Sequence, residues 1–114
     1  MRWQVVRTRP ADADLESILR WTAGRFGEPL ARQYGAAILA TIRSLGEGPD
    51  LPTARMRPAL GPTIGSVRVT GRAARSRHIV FFAVDAGQVP TIRVLRILHA
   101  AMDPSRHLGA DDPA

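Results

Sequence analysis

Two amphipathic segments joined by a short turn limit most strongly what this chain can fold into. In residues 10–26 apolar side chains recur every three to four positions, and the same spacing returns in residues 29–45. Pro10 and Pro29 suit the first turn of a helix, and Gly27 suits the end of one. Because only a Gly-Glu-Pro turn separates the two segments, we expect an antiparallel helical hairpin with both apolar stripes on one surface.

Four further segments have the composition of β-strands. Residues 3–8 and 65–70 alternate apolar and polar side chains, residues 78–84 are almost continuously apolar, and residues 91–98 are rich in β-branched side chains. The order is strand, helix, helix and then three strands. It predicts an α+β domain in which the helical hairpin packs across one face of an antiparallel sheet formed by the last three strands.

A long segment between the second helix and the next strand has no clear pattern. Residues 46–64 contain four prolines and three glycines and are expected to form a loop. Loops of this length are uncommon inside a compact domain, so the segment either has a function or contains a short element that the pattern does not reveal. A chain of 114 residues suits one domain. We expect that domain to span residues 1–108, followed by a flexible tail at 109–114.

Composition excludes several classes of protein. The chain has no cysteine, which excludes disulfides and thiolate metal sites. The longest strongly apolar run, residues 79–84, is far too short to span a bilayer, and the N-terminus lacks the apolar segment of a signal peptide. We therefore expect a cytoplasmic protein without a membrane interaction.

The charge of the chain is unevenly distributed. All 16 basic residues are arginine, and a GC-rich genome is one explanation of that preference. Residues 1–50 contain seven arginines and six acidic residues, whereas residues 51–102 contain eight arginines and a single aspartate. This asymmetry predicts a positive surface that attracts an anionic partner, either nucleic acid or an acidic protein.

Several segments of the chain resemble the RelE/ParE toxins, and the ParE branch in particular. They are Pro-Ala-Asp-Ala-Asp-Leu at 10–15, Trp-Thr-Ala and Arg-Phe-Gly within 21–27, Arg-His-Ile-Val-Phe-Phe at 77–82, Val-Leu-Arg-Ile-Leu-His at 94–99 and Met-Asp-Pro-Ser-Arg-His-Leu at 102–108. The last two segments form the most specific block. Together the segments extend from residue 10 to residue 108, nearly the whole chain.

The resemblance implies a fold, a partner and a target. The fold would be the RelE-like α+β domain, and the partner a ParD-like antitoxin whose C-terminal segment wraps the toxin in a hetero-oligomer. Such an antitoxin has a ribbon-helix-helix head, so the toxin would reach DNA indirectly. The target of ParE-like members is DNA gyrase, whereas RelE-like members cut mRNA on the ribosome, which is the alternative function. A plain nucleic-acid-binding module is a third hypothesis.

The sequence predicts no catalytic site. Metal-free RNA cleavage needs a base, an acid and positive charge at the phosphorane. His99 follows the last strand and is the best candidate base, but no tyrosine or lysine lies near it in the sequence, and the ParE pattern contains this histidine without nuclease activity. Tyr34 falls on the apolar stripe of the second helix and is expected in the core. The three histidines, His78, His99 and His107, are too scattered for a metal site, and no cofactor is expected.

The arginines are the first candidates for binding. Arg72, Arg75 and Arg77 lie in one connection between strands, where guanidinium groups suit bidentate binding of phosphate or carboxylate; a solvated loop is the alternative. Arg93 and Arg96 have opposite parity on the last strand, which predicts that they point to opposite faces of the sheet.

We expect these two arginines to differ in role. Arg96 is expected to be a structural or antitoxin-anchoring residue that pairs with Asp14, Glu16 or an antitoxin carboxylate, because a buried guanidinium needs a partner. Arg93 is expected at the surface.

An apolar groove for the antitoxin should accompany this charge, and the two tryptophans are candidates for it, with core packing as the alternative. The complete set of candidate antitoxin- or target-binding residues is Arg72, Arg75, Arg77, Arg93, Arg96, His99, Met102, Arg106, Trp3 and Trp21.

Overall fold

The computed structural model describes residues 2–70 and 77–108 and confirms the predicted α+β fold. Its elements are β1 (Gln4–Arg7), α1 (Arg9–Phe26), α2 (Glu28–Ser44), a 3-10 helix (Leu45–Glu47), β2 (Ala54–Met56), β3 (Ile64–Arg68), β4 (His78–Asp85), β5 (Thr91–His99) and α3 (Ser105–Leu108). The segment predicted as a flexible tail, 109–114, lies outside the described residues.

Local chemistry explains where the helical hairpin begins and turns. The hydroxyl of Thr8 accepts a hydrogen bond of 3.2 Å from the amide of Ala11 and so caps α1, and Pro10 lies in its first turn. Gly27 ends α1 with φ at 96°, a conformation that favours glycine, and its amide donates to the carbonyl of Ala23. The turn therefore reverses the chain within a single residue.

The sheet has five strands in the order β1-β5-β4-β3-β2. Strands β2 to β5 pair antiparallel, as predicted for the last three strands, whereas β1 pairs parallel with β5. Parallel neighbours need a long connection, and here all the elements between β1 and β5 provide it.

Strand β2 lies inside the segment 46–64, so that segment contains a short element. Three residues are too few to produce an alternating pattern.

The two faces of the sheet bury different clusters. The hairpin covers one face, where the larger cluster contains Ala11, Tyr34, Ile38, Ile42, Leu45, Val67, Val69, Val80, Phe82, Ile92, Val94 and Ile97. The opposite face buries a smaller cluster formed by Phe81, Ala83, Leu95, Leu98 and Leu108. Helix α3, which the sequence analysis did not predict, supplies Leu108 to this second cluster.

A register shift in β5 corrects the predicted placement of two arginines. Consecutive residues of β4 pair with Arg96 and Val94, so Leu95 has no partner on that strand. The extra residue reverses the parity of the strand beyond it, and Arg93 and Arg96 both lie on the face opposite the hairpin. The prediction that they point to opposite faces was therefore wrong, because simple alternation holds only for a strand without a bulge.

Gly65 in β3 is expected to be intolerant of substitution. A Cβ atom there would lie 2.5 Å from Cζ of Phe82, which is fully buried, and 3.1 Å from Sδ of Met56. We expect Gly65→Ala to lower the free energy of unfolding by about 1–3 kcal/mol through overpacking, as measured by chemical denaturation. The control is Gly24→Ala, since a Cβ on Gly24 of α1 meets nothing within 4 Å. That change should stabilise the fold by up to about 1 kcal/mol. If Gly24→Ala lowers the free energy of unfolding as much as Gly65→Ala does, the contact with Phe82 is not the reason that Gly65 resists substitution.

Candidate functional site

An apolar groove lies where α1, α2 and the start of β4 meet. It has a volume of about 360 Å³, and we call it the aromatic groove; it is lined by Trp21, Thr22, Phe26, Leu30, Tyr34, Arg77 and His78. Trp21 and Phe26 are 58% and 57% exposed, and their rings meet edge to face with centroids 5.9 Å apart. The guanidinium of Arg25 lies 5.3 Å from the centre of the Trp21 ring. Clustered exposed aromatic rings of this kind make the groove a candidate binding surface.

A cluster of three polar rings lies at one side of the aromatic groove. The Tyr34 hydroxyl and Nδ1 of His78 are 2.5 Å apart, and the rings of His78 and His99 meet edge to face with centroids 5.4 Å apart. His78 and His99 are register partners on β4 and β5, and a smaller cleft continues the groove between them and α1. No tyrosine lies near His99 in the sequence, but the fold places Tyr34 against His78, which in turn contacts His99. Antiparallel pairing and the hairpin bring together residues that are far apart in the sequence.

Hydrogen bonding and burial set the protonation of this cluster. Burial raises the pKa of Tyr34, so its hydroxyl keeps its proton. Burial, and secondly the nearby His99, lower the pKa of His78, while the charge of Asp14 opposes them. The Tyr34 hydroxyl therefore donates to Nδ1 of a neutral His78. The amide of Ala101 donates to Nδ1 of His99 at 3.0 Å, which leaves Nε2 as the protonated nitrogen in the neutral ring.

Stability should fall on acidification because of His78. The unfolded state takes up a proton at the ordinary histidine pKa near 6.5, whereas the folded state resists protonation until the pH is lower. Between these two values the unfolded state binds more protons, so the free energy of unfolding falls as the pH decreases through about 6.5. The groups that face His78 are Tyr34 from α2, His99 from β5 and Asp14 from α1.

Denaturation of the wild type and of His78→Gln at about pH 7.5 and about pH 5 measures this effect. The variant should lose less stability between the two values than the wild type does. An equal loss in both proteins would show that His78 is not the group responsible.

The structure brings three of the predicted binding residues together. Trp21, Arg77 and His99 line the aromatic groove and its continuation. Arg77 is exposed directly before β4, and its carbonyl accepts from the amide of Ala100 at 2.7 Å. Arg72 and Arg75 lie outside the described residues.

The other predicted residues lie elsewhere or follow the groove in the chain. Trp3 packs partly buried against the core at Gly48, where an added Cβ would lie 2.8 Å from its Nε1, and so does not share the surface of Trp21. Met102 is 40% exposed just after His99, and Arg106 is exposed in α3. Arg93 is half-buried on the sheet face opposite the hairpin.

Arg96 forms the most extensive polar contact between α1 and the sheet. Its Nε and Nη2 donate to the carboxylate of Asp14 at 2.7 and 2.9 Å, and its Nη1 donates to the carbonyl of His107 at 3.3 Å. The amide of Ile97 also donates to Asp14, at 2.9 Å. The hydrogen bonds to Asp14, together with the charge of that carboxylate, hold the pKa of Arg96 above its ordinary value. Asp14 was one of the two carboxylates proposed from the sequence as its partner.

Two further findings concern metal and membrane. Within residues 2–70 and 77–108, no cluster of three histidine, aspartate or glutamate side chains is placed to hold a metal ion. In the same part of the chain, no helix is both long and apolar enough to cross a membrane.

Comparison with known proteins identifies the family. The family model of the ParE toxin of the type II toxin–antitoxin system parDE matches residues 5–104. Toxin ParE1 of Caulobacter vibrioides is 29% identical over 90% of this chain and 94% of its own length, and Toxin ParE of Escherichia coli is 33% identical over 86% and 85%.

Two solved structures have a similar fold. One is the chromosomal ParDE toxin–antitoxin system of P. aeruginosa, with a TM-score of 0.68, 21% identity, and coverage of 86% of this chain and 96% of that chain. The other is the toxin–antitoxin complex RelBE2 of Mycobacterium tuberculosis, with a TM-score of 0.57, 21% identity, and coverage of 87% and 99%. With the family model matching most of its length, the chain belongs to the ParE toxin family of type II toxin–antitoxin systems.

Proposed function

We propose that this toxin poisons DNA gyrase in the cytoplasm and is neutralised by direct binding of a ParD-like antitoxin. The match to the ParE family over residues 5–104 is the observation that supports this function most strongly. The antitoxin would contribute a ribbon-helix-helix head, so that the hetero-oligomer reaches DNA through the antitoxin. No membrane takes part in this function.

The aromatic groove is the surface that we assign to the antitoxin. Trp21 and Phe26 expose more than half of their surface, and burying them would release a large apolar area from water. A helical or extended segment with apolar side chains fits such a groove. Arg77 at its border offers a guanidinium to a carboxylate on the same segment.

The toxin is proposed to act by binding, without proton transfer, because its polar groups are divided between two faces. His78 and His99 lie on the hairpin side of the sheet, whereas Arg93 and Arg96 lie on the opposite face. In addition, Nε and Nη2 of Arg96 already donate hydrogen bonds to the carboxylate of Asp14. A nuclease needs its cations and its proton-transfer groups around one phosphate, and this arrangement keeps Arg93 and Arg96 away from the two histidines, although Arg77 borders the groove beside His78.

Expression of the toxin with and without its antitoxin tests the proposal. Without the antitoxin, we expect double-strand DNA breaks and an arrest of replication while transcripts stay intact. Co-expression of the antitoxin should abolish the breaks. Intact DNA in cells that contain folded toxin would refute the assignment of gyrase.

Ribosome-dependent cleavage of mRNA is the second candidate function, and one observation favours it. Tyr34 and His99 each contact His78, and Arg77 lies next to His78, so acid–base groups and one cation share the aromatic groove and its continuation. This function predicts cut transcripts in a translation extract, and His99→Gln should abolish the cuts. Transcripts that stay intact with the wild-type toxin would dismiss it.

A further inference from the structure

The sheet face opposite the hairpin contains a second polar site, formed by β2 and β3. A cleft there, which we call the arginine cleft, is lined by Thr53, Arg55, Arg57, Ser66, Arg68 and Ile79. The register places these side chains on one face, because Arg55 pairs with Ser66 and Arg68 pairs with Ile79. Ser66 in turn pairs with Phe81, which belongs to the cluster on that face. None of these residues was singled out in the sequence analysis.

The Arg55 and Arg57 guanidinium groups of the arginine cleft are placed to bind an anion that the described residues do not supply. Arg55 and Arg68 are exposed, and the residues that line the cleft include no carboxylate. In residues 2–70 and 77–108, Arg55 and Arg57 form no ion pair. Arg55 in β2 and Arg57 directly after it are two positions apart in extended backbone, which places them about 7 Å apart on one side and suits a ligand with repeated negative charges.

The protein itself orients one of these cations. Nη1 of Arg57 donates to the hydroxyl of Ser66 at 3.3 Å, and its guanidinium lies 5.7 Å from the centre of the Phe81 ring. A side chain that is already ordered loses less conformational freedom on binding than a free one. Guanidinium groups also match the geometry of phosphate oxygens through paired hydrogen bonds.

The chemistry of this face favours duplex DNA over the alternatives. Single-stranded nucleic acid binds by stacking bases on exposed aromatic rings, but Phe81, the aromatic ring on this face, is only 2% exposed. An acidic peptide would need apolar anchors as well as charge, and the exposed aromatic side chains of this protein lie in the aromatic groove instead. Contact with a duplex backbone needs cations and no stacking platform.

We propose that the arginine cleft binds the phosphodiester backbone of double-stranded DNA. Its position on the face opposite the hairpin leaves the aromatic groove free for the antitoxin. This inference goes beyond the proposed function, in which the toxin reaches DNA only through other proteins. It is tested on the toxin without gyrase or antitoxin, so either idea can fail while the other stands.

The experiment measures binding of the full chain to a labelled DNA duplex by fluorescence anisotropy over a series of salt concentrations. The triple variant Arg55→Gln, Arg57→Gln, Arg68→Gln should reduce the slope of log K against log salt by about 2–3, because each phosphate contact contributes about 0.9. The matched control Arg20→Gln, Arg32→Gln, Arg43→Gln removes the same charge from exposed positions on α1 and α2 and should leave the slope nearly unchanged. Since Arg57 packs on Phe81, the single variant Arg55→Gln, at an exposed position, provides the test if the triple variant unfolds.

Three results would overturn the proposal. The first is a wild-type chain that does not bind the duplex at low salt. The second is a control variant whose slope of log K against log salt falls as much as that of the test variant, because the effect would then come from net charge. The third is tighter binding of polyglutamate than of the duplex with the same dependence on the three arginines, which would assign the cleft to an acidic protein.

Discussion

Replacement of Asp14 by alanine is expected to lower the free energy of unfolding by about 3 kcal/mol. The carboxylate accepts three hydrogen bonds, two from Arg96 and one from the amide of Ile97, and these tie α1 to the free edge of β5. The Asp14 and Arg96 side chains are only 15% and 24% exposed. Removal of the Asp14 carboxylate would therefore leave the Arg96 guanidinium and the amide of Ile97 without their hydrogen-bond acceptor and poorly solvated. Chemical denaturation of the two proteins measures the difference.

Asp12→Ala is the matched control for this prediction. Asp12 also lies in the first half of α1 and pairs with an arginine, Arg7, but the two side chains are 55% and 41% exposed. A surface pair of this kind contributes about 0–1 kcal/mol. If Asp12→Ala destabilises the fold as much as Asp14→Ala, the pair with Arg96 has no special structural role.

Replacement of Trp21 by alanine is expected to weaken binding of the antitoxin by at least about thirtyfold, the loss of about 2 kcal/mol typical of an aromatic anchor. The Trp21 ring is 58% exposed and contacts Phe26 and the guanidinium of Arg25. Its removal should therefore change the stability of the free toxin little. Calorimetric titration of the purified toxin with its antitoxin measures the affinity.

Val89→Ala is the control for the aromatic groove. Val89 is 60% exposed in the turn between β4 and β5, so it is an exposed apolar residue outside the groove. Its replacement should leave the affinity unchanged. If the two variants lose equal affinity for the antitoxin, or if Trp21→Ala loses none, the antitoxin binds another surface of the toxin.

Much of the fold could be predicted from the sequence because its signals are local. The apolar spacing of α1 and α2, Gly27 at their junction and the apolar run of β4 each act within a few residues. The features that could not be predicted depend on distant partners. Strand β2 is too short for a pattern, and the parallel pairing of β1 with β5 depends on where the whole hairpin lies.

The candidate site was predicted less completely for the same reason. Tyr34 has the spacing of a core residue and is 92% buried, yet its hydroxyl reaches His78 on another element. Phe26 continues the apolar spacing of α1, but it is the last residue of the helix and is 57% exposed. Periodicity shows the direction of a side chain around its helix axis and gives no information on whether another element covers it.

The placement of Arg93 and Arg96 shows how a single β-bulge changes which side chains share a face of the sheet. The bulge at Leu95 moves Arg96 to the same face as Arg93, and no residue type at that position indicates a bulge. The pairing of Arg96 with Asp14 was accessible from the sequence because a half-buried guanidinium requires a carboxylate. The arginine cleft could not be predicted, since its arginines come from β3 and from a segment that the sequence analysis interpreted as a loop.

The most direct test of the account is incubation of the purified toxin with gyrase and supercoiled plasmid DNA, followed by detergent and protease treatment to reveal trapped breaks. A toxin that acts only by binding should yield linear DNA, and His99→Gln should yield a similar amount because no proton transfer takes place. The contrary result is supercoiling that proceeds without breaks in the presence of folded wild-type toxin, together with mRNA cleavage that His99→Gln abolishes.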